Sequence, residues 1–322
     1  MGHSGHADLR EFLARLDKDG ELKHVTAPVD PRLEVSEIVN RVIRAGGPAL
    51  VFDNVIGSDM PLAINVFGTE SRMARALGAE SLDEIGARIA ELLKPEIPTG
   101  FGGIREAFAK LGQLRSLPPK HVRTAPCQEV VYRDDEVDLG RLPAIMAWPD
   151  DSGPYLNLGL THTKHPETGA RNLGLYRLQV HDRRAIGVHW QIHKDSTAHH
   201  AVAERRGERL PVAIAFGCDP AVTYAASAPL PADIDEYLFA GFLRHERVEM
   251  VDCLSVPLQV PANAEIVVEG WLEPGVRRPE GPFGDHTGFY TPVEPFPALH
   301  VDVMTTRKDP ILQTIIVGRP PQ

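Results

Sequence analysis

The run Ile186-Gly-Val-His-Trp-Gln-Ile-His193 alternates apolar and polar side chains with a period of two, the mark of an extended strand. Val188, Trp190 and Ile192 fall on one face, and His189, Gln191 and His193 on the other. One face belongs to a core; the other offers two imidazoles and an amide either to a cavity or to solvent. Similar short runs recur at residues 129–132, 157–163, 173–181, 212–216, 265–272, 299–305 and 311–317, with Pro and Gly between them. Many short strands punctuated in this way predict a sandwich or a barrel. Two helices interrupt the series. One covers 196–206 with Ser196 as its cap; the other covers 232–244, with Ile234, Tyr237, Leu238 and Phe242 as its apolar face.

Upstream the periodicity lengthens. Leu9, Phe12, Leu13 and Leu16 stand at helical spacing behind Asp8, and Gly20 is a natural stop. Val35, Ile38, Val39, Val42 and Ile43 repeat the pattern up to Gly46-Gly47, and 49–52 reads as a short buried strand. Further helices are expected over 73–77 and 82–93. Between 95 and 126 the pattern weakens into a linker rich in Pro and Gly, with one helix expected over 106–111. Its Gly100-Phe-Gly-Gly103 piece lacks the register of a phosphate loop and is read as a turn. The chain is therefore α+β, with an N-terminal α/β domain over 1–115 and a β-rich domain over 116–322.

Composition narrows the function. The 322 residues carry 34 Lys+Arg against 44 Asp+Glu, a formal charge of −10, which disfavours nucleic acid and anionic membranes as partners. No apolar run approaches the roughly 18 residues of a membrane span, and no signal peptide is visible. Cys127, Cys218 and Cys253 are never spaced as CxxC, which fits a reducing cytoplasm. Seven of the 14 histidines lie between His162 and His200.

Glu280-Gly-Pro-Phe-Gly-Asp285 places two carboxylates on a tightly bending loop, as acid–base chemistry needs if a neighbour splits their pKa values; otherwise they are solvated acids on a surface turn. Glu236 lies on the second helix, on its wet face or in a site. Asn172 and Arg177 are an odd number of residues apart, so a straight strand sends them to opposite faces. If they share a site, Asn172 lies in the preceding turn or a bulge intervenes. No GxSxG occurs, His245-Glu246 lacks the second His of HExxH, and the adjacent His199 and His200 are expected at the surface.

Four ordered blocks carry a resemblance: Asn172-Leu-Gly-Leu-Tyr-Arg177, Trp190-Gln-Ile-His193, Ser227-Ala-Pro-Leu-Pro231 followed by Glu236, and Glu280-Gly-Pro-Phe-Gly-Asp285. Together they resemble the UbiD-type carboxy-lyases, decarboxylases that depend on prenylated FMN. The resemblance implies an N-terminal α/β domain, a split β-barrel that holds the flavin, and a C-terminal oligomerisation domain that this chain lacks. It accordingly implies a fragment that binds cofactor weakly or not at all, from a protein that is a homo-oligomer at full length.

By position, Asn172, His193 and Glu236 match the family's metal ligands and imply Mn²⁺ or Mg²⁺ bridging to the cofactor phosphate. A K⁺ ion would be held by carbonyls near Leu173 and at 225–228, and by Glu236. Gly174, Leu175, Tyr176, Arg177, Ile192, Ser227, Ala228 and Pro229 would line the flavin site. Arg177, Glu280 and Asp285 match the catalytic network, with Asp285 preferred as proton donor and Arg177 holding the other acid ionised. The substrate implied is a small aromatic or α,β-unsaturated carboxylic acid, and a flavin prenyltransferase would supply the cofactor. Two other readings stay open: a non-catalytic cofactor-binding or assembly subunit, and a zinc hydrolase built on His193, His189 and a carboxylate.

Overall fold

The computed structural model describes residues 5–93, 118–230 and 234–322. The linker helix expected over 106–111 lies outside them, as does Pro231. The N-terminal part contains helix α1 (Leu9–Lys18), strand β1 (Leu22–Val25), helix α2 (Glu34–Arg44), strands β2 (Ala49–Phe52) and β3 (Leu62–Ile64), and helices α3 (Glu70–Ala76) and α4 (Leu82–Leu93). Asp8 caps α1 by accepting the Glu11 N–H, as its side chain predicts. The four buried residues of β2 divide between two faces. Ala49 and Val51 pack on α1 through Phe12 and Leu16, while Leu50 and Phe52 join Val35 and Val39 of α2. A helix on each side explains why 49–52 is apolar without alternation.

The second part begins with β4 (Lys120–Val122), β5 (Val130–Arg133), β6 (Tyr155–Lys164), β7 (Arg171–Asp182) and β8 (Ala185–Val188). Helix α5 (Asp195–Arg206), β9 (Leu210–Phe216) and helices α6 (Pro220–Ala225) and α7 (Glu236–Arg244) follow. The chain then runs through β10 (Glu249–Asp252), β11 (Gln259–Pro261), β12 (Ile266–Glu280), β13 (Phe283–Gly284), β14 (Tyr290–Thr291), β15 (Glu294–Thr306) and β16 (Leu312–Thr314). Six strands close a barrel in the order β12-β9-β6-β7-β8-β15, because β15 pairs back onto β12; β5 extends from β15. Alternation along β9 sends Leu210, Val212, Ile214 and Phe216 into one core and Ala213 and Ala215 beneath α6 and α7.

Closure depends on a close backbone approach. Between Glu269 and Gly270 the β12–β15 register slips by one residue, and a Cβ on Gly270 would stand 1.8 Å from the His300 carbonyl oxygen. Gly270→Ala is therefore expected to cost at least about 2 kcal/mol, since backbone cannot yield as a side chain can. A chemical-denaturation midpoint equal to that of the parent chain would refute this.

Several expectations change in three dimensions. The strand over 186–193 ends at Val188; Trp190 is buried, but Ile192, expected on the same face, is 80% exposed. Ser196 is not a cap: α5 starts at Asp195 behind Lys194, and Ser196 is fully buried in its first turn. His199 and His200 are buried rather than at the surface, because the same helix lies against the barrel. The last helix starts at Glu236, so Ile234 lies outside it and is exposed; packing against the cluster of α6 and β9 buries Tyr237, Phe239, Ala240 and Leu243 and leaves Leu238 exposed. The strand expected over 311–317 is short and joins the N-terminal sheet, parallel to β3. β1, β3, β4, α6, β10, β11, β13 and β14 are not among the elements expected from the sequence.

Candidate active site

Glu280 ends the long strand β12, and Arg177 leaves β7 to meet it. Arg177 Nε and Nη2 donate to the two carboxylate oxygens of Glu280, each at 2.9 Å. The remaining terminal nitrogen, Nη1, donates to Asp285 at 3.2 Å, and Nη2 also reaches Thr291 Oγ1 at 3.0 Å. The guanidinium stacks over Phe283, 4.5 Å from the ring centroid. One planar fork thus engages both acids of the loop, a geometry no lysine could supply. Gly281 permits the turn between them with φ of 87°. Asp151 ties the loop down, accepting the Gly284 N–H with one oxygen and those of Ala147 and Trp148 with the other.

His189 donates from Nδ1 to Glu280 Oε2 at 2.9 Å. Burial alone would raise the Glu280 carboxyl, but the hydrogen bonds from His189 and Arg177 outweigh it and pull the pKa down to about 2. Asp285 is also lowered: burial opposes this, while the His286 backbone and side chain and the Arg177 charge prevail. The expected splitting, with one acid raised and one lowered, is therefore not present in this arrangement. Both acids are anionic because they share one cation.

Asn172, His193 and Glu236 line a second feature, a cleft of about 540 Å³ bounded by β7, the start of α5 and residues 226–230 and 234–236. Gly174, Leu175, Tyr176, Ser227, Ala228 and Pro229 are on the same walls. Ile192 is not; it belongs, with His189 and His193, to a neighbouring cleft of about 590 Å³. Asn172 donates from Nδ2 to Ser196 Oγ at 2.8 Å, leaving Oδ1 as its acceptor for the cleft. Burial, reinforced by Asp235 and Asp195, pushes Glu236 up to about 7. A half-buried carboxylate crowded by others, on the same cleft as an amide oxygen and an imidazole, suits a hard divalent cation. Among the described residues, no three His, Cys, Asp or Glu side chains gather into a metal cluster, so the amide is a necessary member of any such set. The same finding gives a zinc centre on His189 and His193 no third ligand, and His189 Nδ1 is already engaged by Glu280.

Asn172 and Arg177 do leave opposite faces of β7: even-numbered Tyr176 and Leu178 enter one core and Leu173 the other. Pairing is unbroken from Asn172 to Tyr176, and the bulge lies on β6, where Asn157 and Leu158 oppose Arg177. Sequence reasoning missed the parts played by Thr291, brought in by the β13–β14 hairpin, and Asp151, both ordinary polar residues without a local signature. His189 was visible as a polar-face residue, but its partner lies 91 positions away.

A family model described as the 3-octaprenyl-4-hydroxybenzoate carboxy-lyase Rift-related domain, UbiD, matches residues 120–320, and the model of the N-terminal domain matches 13–89. The chain belongs to the UbiD family. It is 47% identical over 327 residues to an uncharacterized protein of Aquifex aeolicus (strain VF5), covering 100% of this chain and 66% of that one. An evolved dimeric form of the UbiD-class enzyme HmfF from Pelotomaculum thermopropionicum, in complex with prFMN, superposes with a TM-score of 0.86 at 30% identity, covering 98% of this chain and 68% of that one. The vanillic acid decarboxylase of Sedimentibacter hydroxybenzoicus in closed form gives 0.88 at 29% identity, over 98% and 65%. These UbiD likenesses agree with the α/β part followed by a closed barrel. The chain spans 65–66% of the length of the curated relatives it matches. Among the described residues no helix is long and apolar enough to cross a membrane.

Proposed function

We propose that this UbiD-family chain takes part in the non-oxidative, reversible decarboxylation of a small aromatic or α,β-unsaturated carboxylic acid. The observation that carries the reading is the Arg177 fork clamped between Glu280 and Asp285, since a scaffold has no evident use for two acids on one buried guanidinium. Prenylated FMN, when bound, supplies the electron sink that lets the carboxylate leave.

The chain's own residues supply charge and protons. Loss of CO₂ leaves an electron pair on carbon, and one proton must reach that carbon in each turnover. Asp285 is the better donor. Its side chain is 21% exposed against 1% for Glu280, and it holds Arg177 by a single longer contact. A substrate carboxylate that takes over Arg177 Nη1 would release Asp285 and raise its affinity for a proton. Glu280, held from both sides by His189 and Arg177, stays ionised and aims the guanidinium. Asn172, His193 and Glu236 would hold Mn²⁺ or Mg²⁺, which would supply positive charge for an anionic group of the cofactor, and Leu173, Glu236 and the carbonyls of 225–228 would hold K⁺. Asn172 and Arg177 stand five residues apart on one strand, about 17 Å along it.

Flavin prenyltransferase as supplier and a homo-oligomeric state belong to the same proposal. The test is a native mass spectrum of the chain co-produced with a flavin prenyltransferase and supplied with Mn²⁺, followed by CO₂ release from a panel of aromatic and unsaturated acids. A mass increment of prenylated FMN plus one divalent ion, with CO₂ from at least one acid, is the expected result. Loaded protein that releases no CO₂ would refute the activity. A bare polypeptide mass would refute cofactor retention by this span.

A further inference from the structure

Ser196 has no part in the site readings above, yet it is fully buried, in contact with Asn172 and Tyr176 of the 540 Å³ cleft, and gathers three polar neighbours. Its Oγ accepts from Asn172 Nδ2 at 2.8 Å and from the Tyr176 hydroxyl at 3.1 Å. A serine hydroxyl has two acceptor lone pairs and one proton. With both lone pairs occupied, that proton is directed to Thr163 Oγ1, 3.5 Å away. Thr163 in turn lies 2.9 Å from His199 Nδ1. The chain of bonds therefore runs one way, from the amide and the phenol through Ser196 and Thr163 to the imidazole. Burial, with His165 nearby, lowers His199 to about 4, so near neutral pH the ring is uncharged and able to accept.

Such a chain fixes something Asn172 cannot fix for itself. A free amide can turn over and offer either its oxygen or its NH₂ group to the cleft, and only the oxygen can ligate a cation. We infer that Ser196 is a positioning residue, which locks the Asn172 amide with its nitrogen inward and its oxygen toward the cleft, so that the amide serves as a divalent-cation ligand. The inference rests on the proposed assignment of Asn172 to the metal. It also accounts for Ser196 lying inside the first turn of α5 instead of capping it: the hydroxyl is committed to a tertiary network.

Mn²⁺ alone is the probe, with free and bound ion distinguished by electron paramagnetic resonance across a titration of the full chain. Partners behind the ligands typically alter metal affinity by about 10–100-fold. Ser196→Ala is expected to weaken Mn²⁺ binding by that order. A carboxylate needs no such orientation, because both its oxygens accept, so Asn172→Asp should make the site indifferent to residue 196. Asn172→Asp with Ser196→Ala should then bind within about threefold of Asn172→Asp alone. An equal loss in both backgrounds would show a merely structural role and overturn the inference. Unchanged affinity in Ser196→Ala would also overturn it. Absence of Mn²⁺ binding by the parent chain would instead remove the ligand assignment on which it rests. Should Ser196→Ala fail to fold, Thr163→Val interrupts the same chain one bond further on with little change of volume, and is expected to weaken Mn²⁺ binding in the Asn172 background only.

Discussion

Arg177→Ala is expected to lower decarboxylation by the cofactor-loaded protein at least about a hundredfold, the usual cost of removing one oriented charge donor from a reacting site. The same change leaves Glu280, fully buried, and Asp285, half-buried, facing each other without their shared cation. Deleting one partner of a buried pair costs about 3–5 kcal/mol, because the remaining charge stays desolvated. A fall in melting temperature on the order of 10 °C should accompany the lost activity. Arg177→Lys separates the two effects. It keeps the positive charge and should recover part of the stability, but an ammonium cannot reproduce the fork across Glu280 and Asp285, so turnover should remain low. Turnover of Arg177→Ala within tenfold of the parent, with unaltered melting, would show that the network neither holds the fold nor serves the reaction.

Glu280→Gln tests the opposite member through pH. The Glu280 carboxyl lies at about 2 in the fold and returns to 4.5 when the chain unfolds. Between those values the unfolded chain binds the proton and the folded chain does not. The stabilisation is thus fully present above about pH 4.5 and is lost as pH falls toward 2, amounting to about 3 kcal/mol. Glu280→Gln should lower stability at neutral pH and flatten its dependence on pH across that window. Urea unfolding at several values between pH 2 and 6 measures this directly. An identical slope in parent and variant would mean that the low carboxyl pKa, and with it the anchoring role of Glu280, is wrong. Activity should fall as well, since His189 and Arg177 lose the charged acceptor they share.

How much of this was legible beforehand depends on the distance over which each feature is determined. The Asp8 cap, the apolar face of α1 and the buried run 49–52 are set by neighbours within one turn or one strand, and they appear where the pattern places them. The extent of α7 was misjudged because its cap, the Asp235 side chain accepting the Tyr237 N–H, is one a hydrophobic count does not see, and its buried face is chosen by packing against α6 and β9. Ser196 has the composition of a cap and the surroundings of a core; only its neighbours on β6 and β7 decide between them. His199 and His200 look like surface residues for the same reason, since nothing local announces that the barrel covers their helix.

The acids of 280–285 and the arginine at 177 could be singled out from residue type and from their resemblance to a family, but not their electrostatics. Two carboxylates on a loop suggest a split pair; two carboxylates on one guanidinium are both ionised, and that is settled by a contact spanning 103 residues. The amino-acid sequence by itself determined the α+β class, the helices and strands whose pattern is local, and the family, because periodicity and short motifs act through adjacent residues. Only the tertiary structure decided barrel closure through Gly270, the return of β16 to the first sheet, the shared cation of Glu280 and Asp285, and the orientation of Asn172. Each of these depends on burial and on hydrogen bonds between strands and helices far apart in the chain, where desolvation sets the energies.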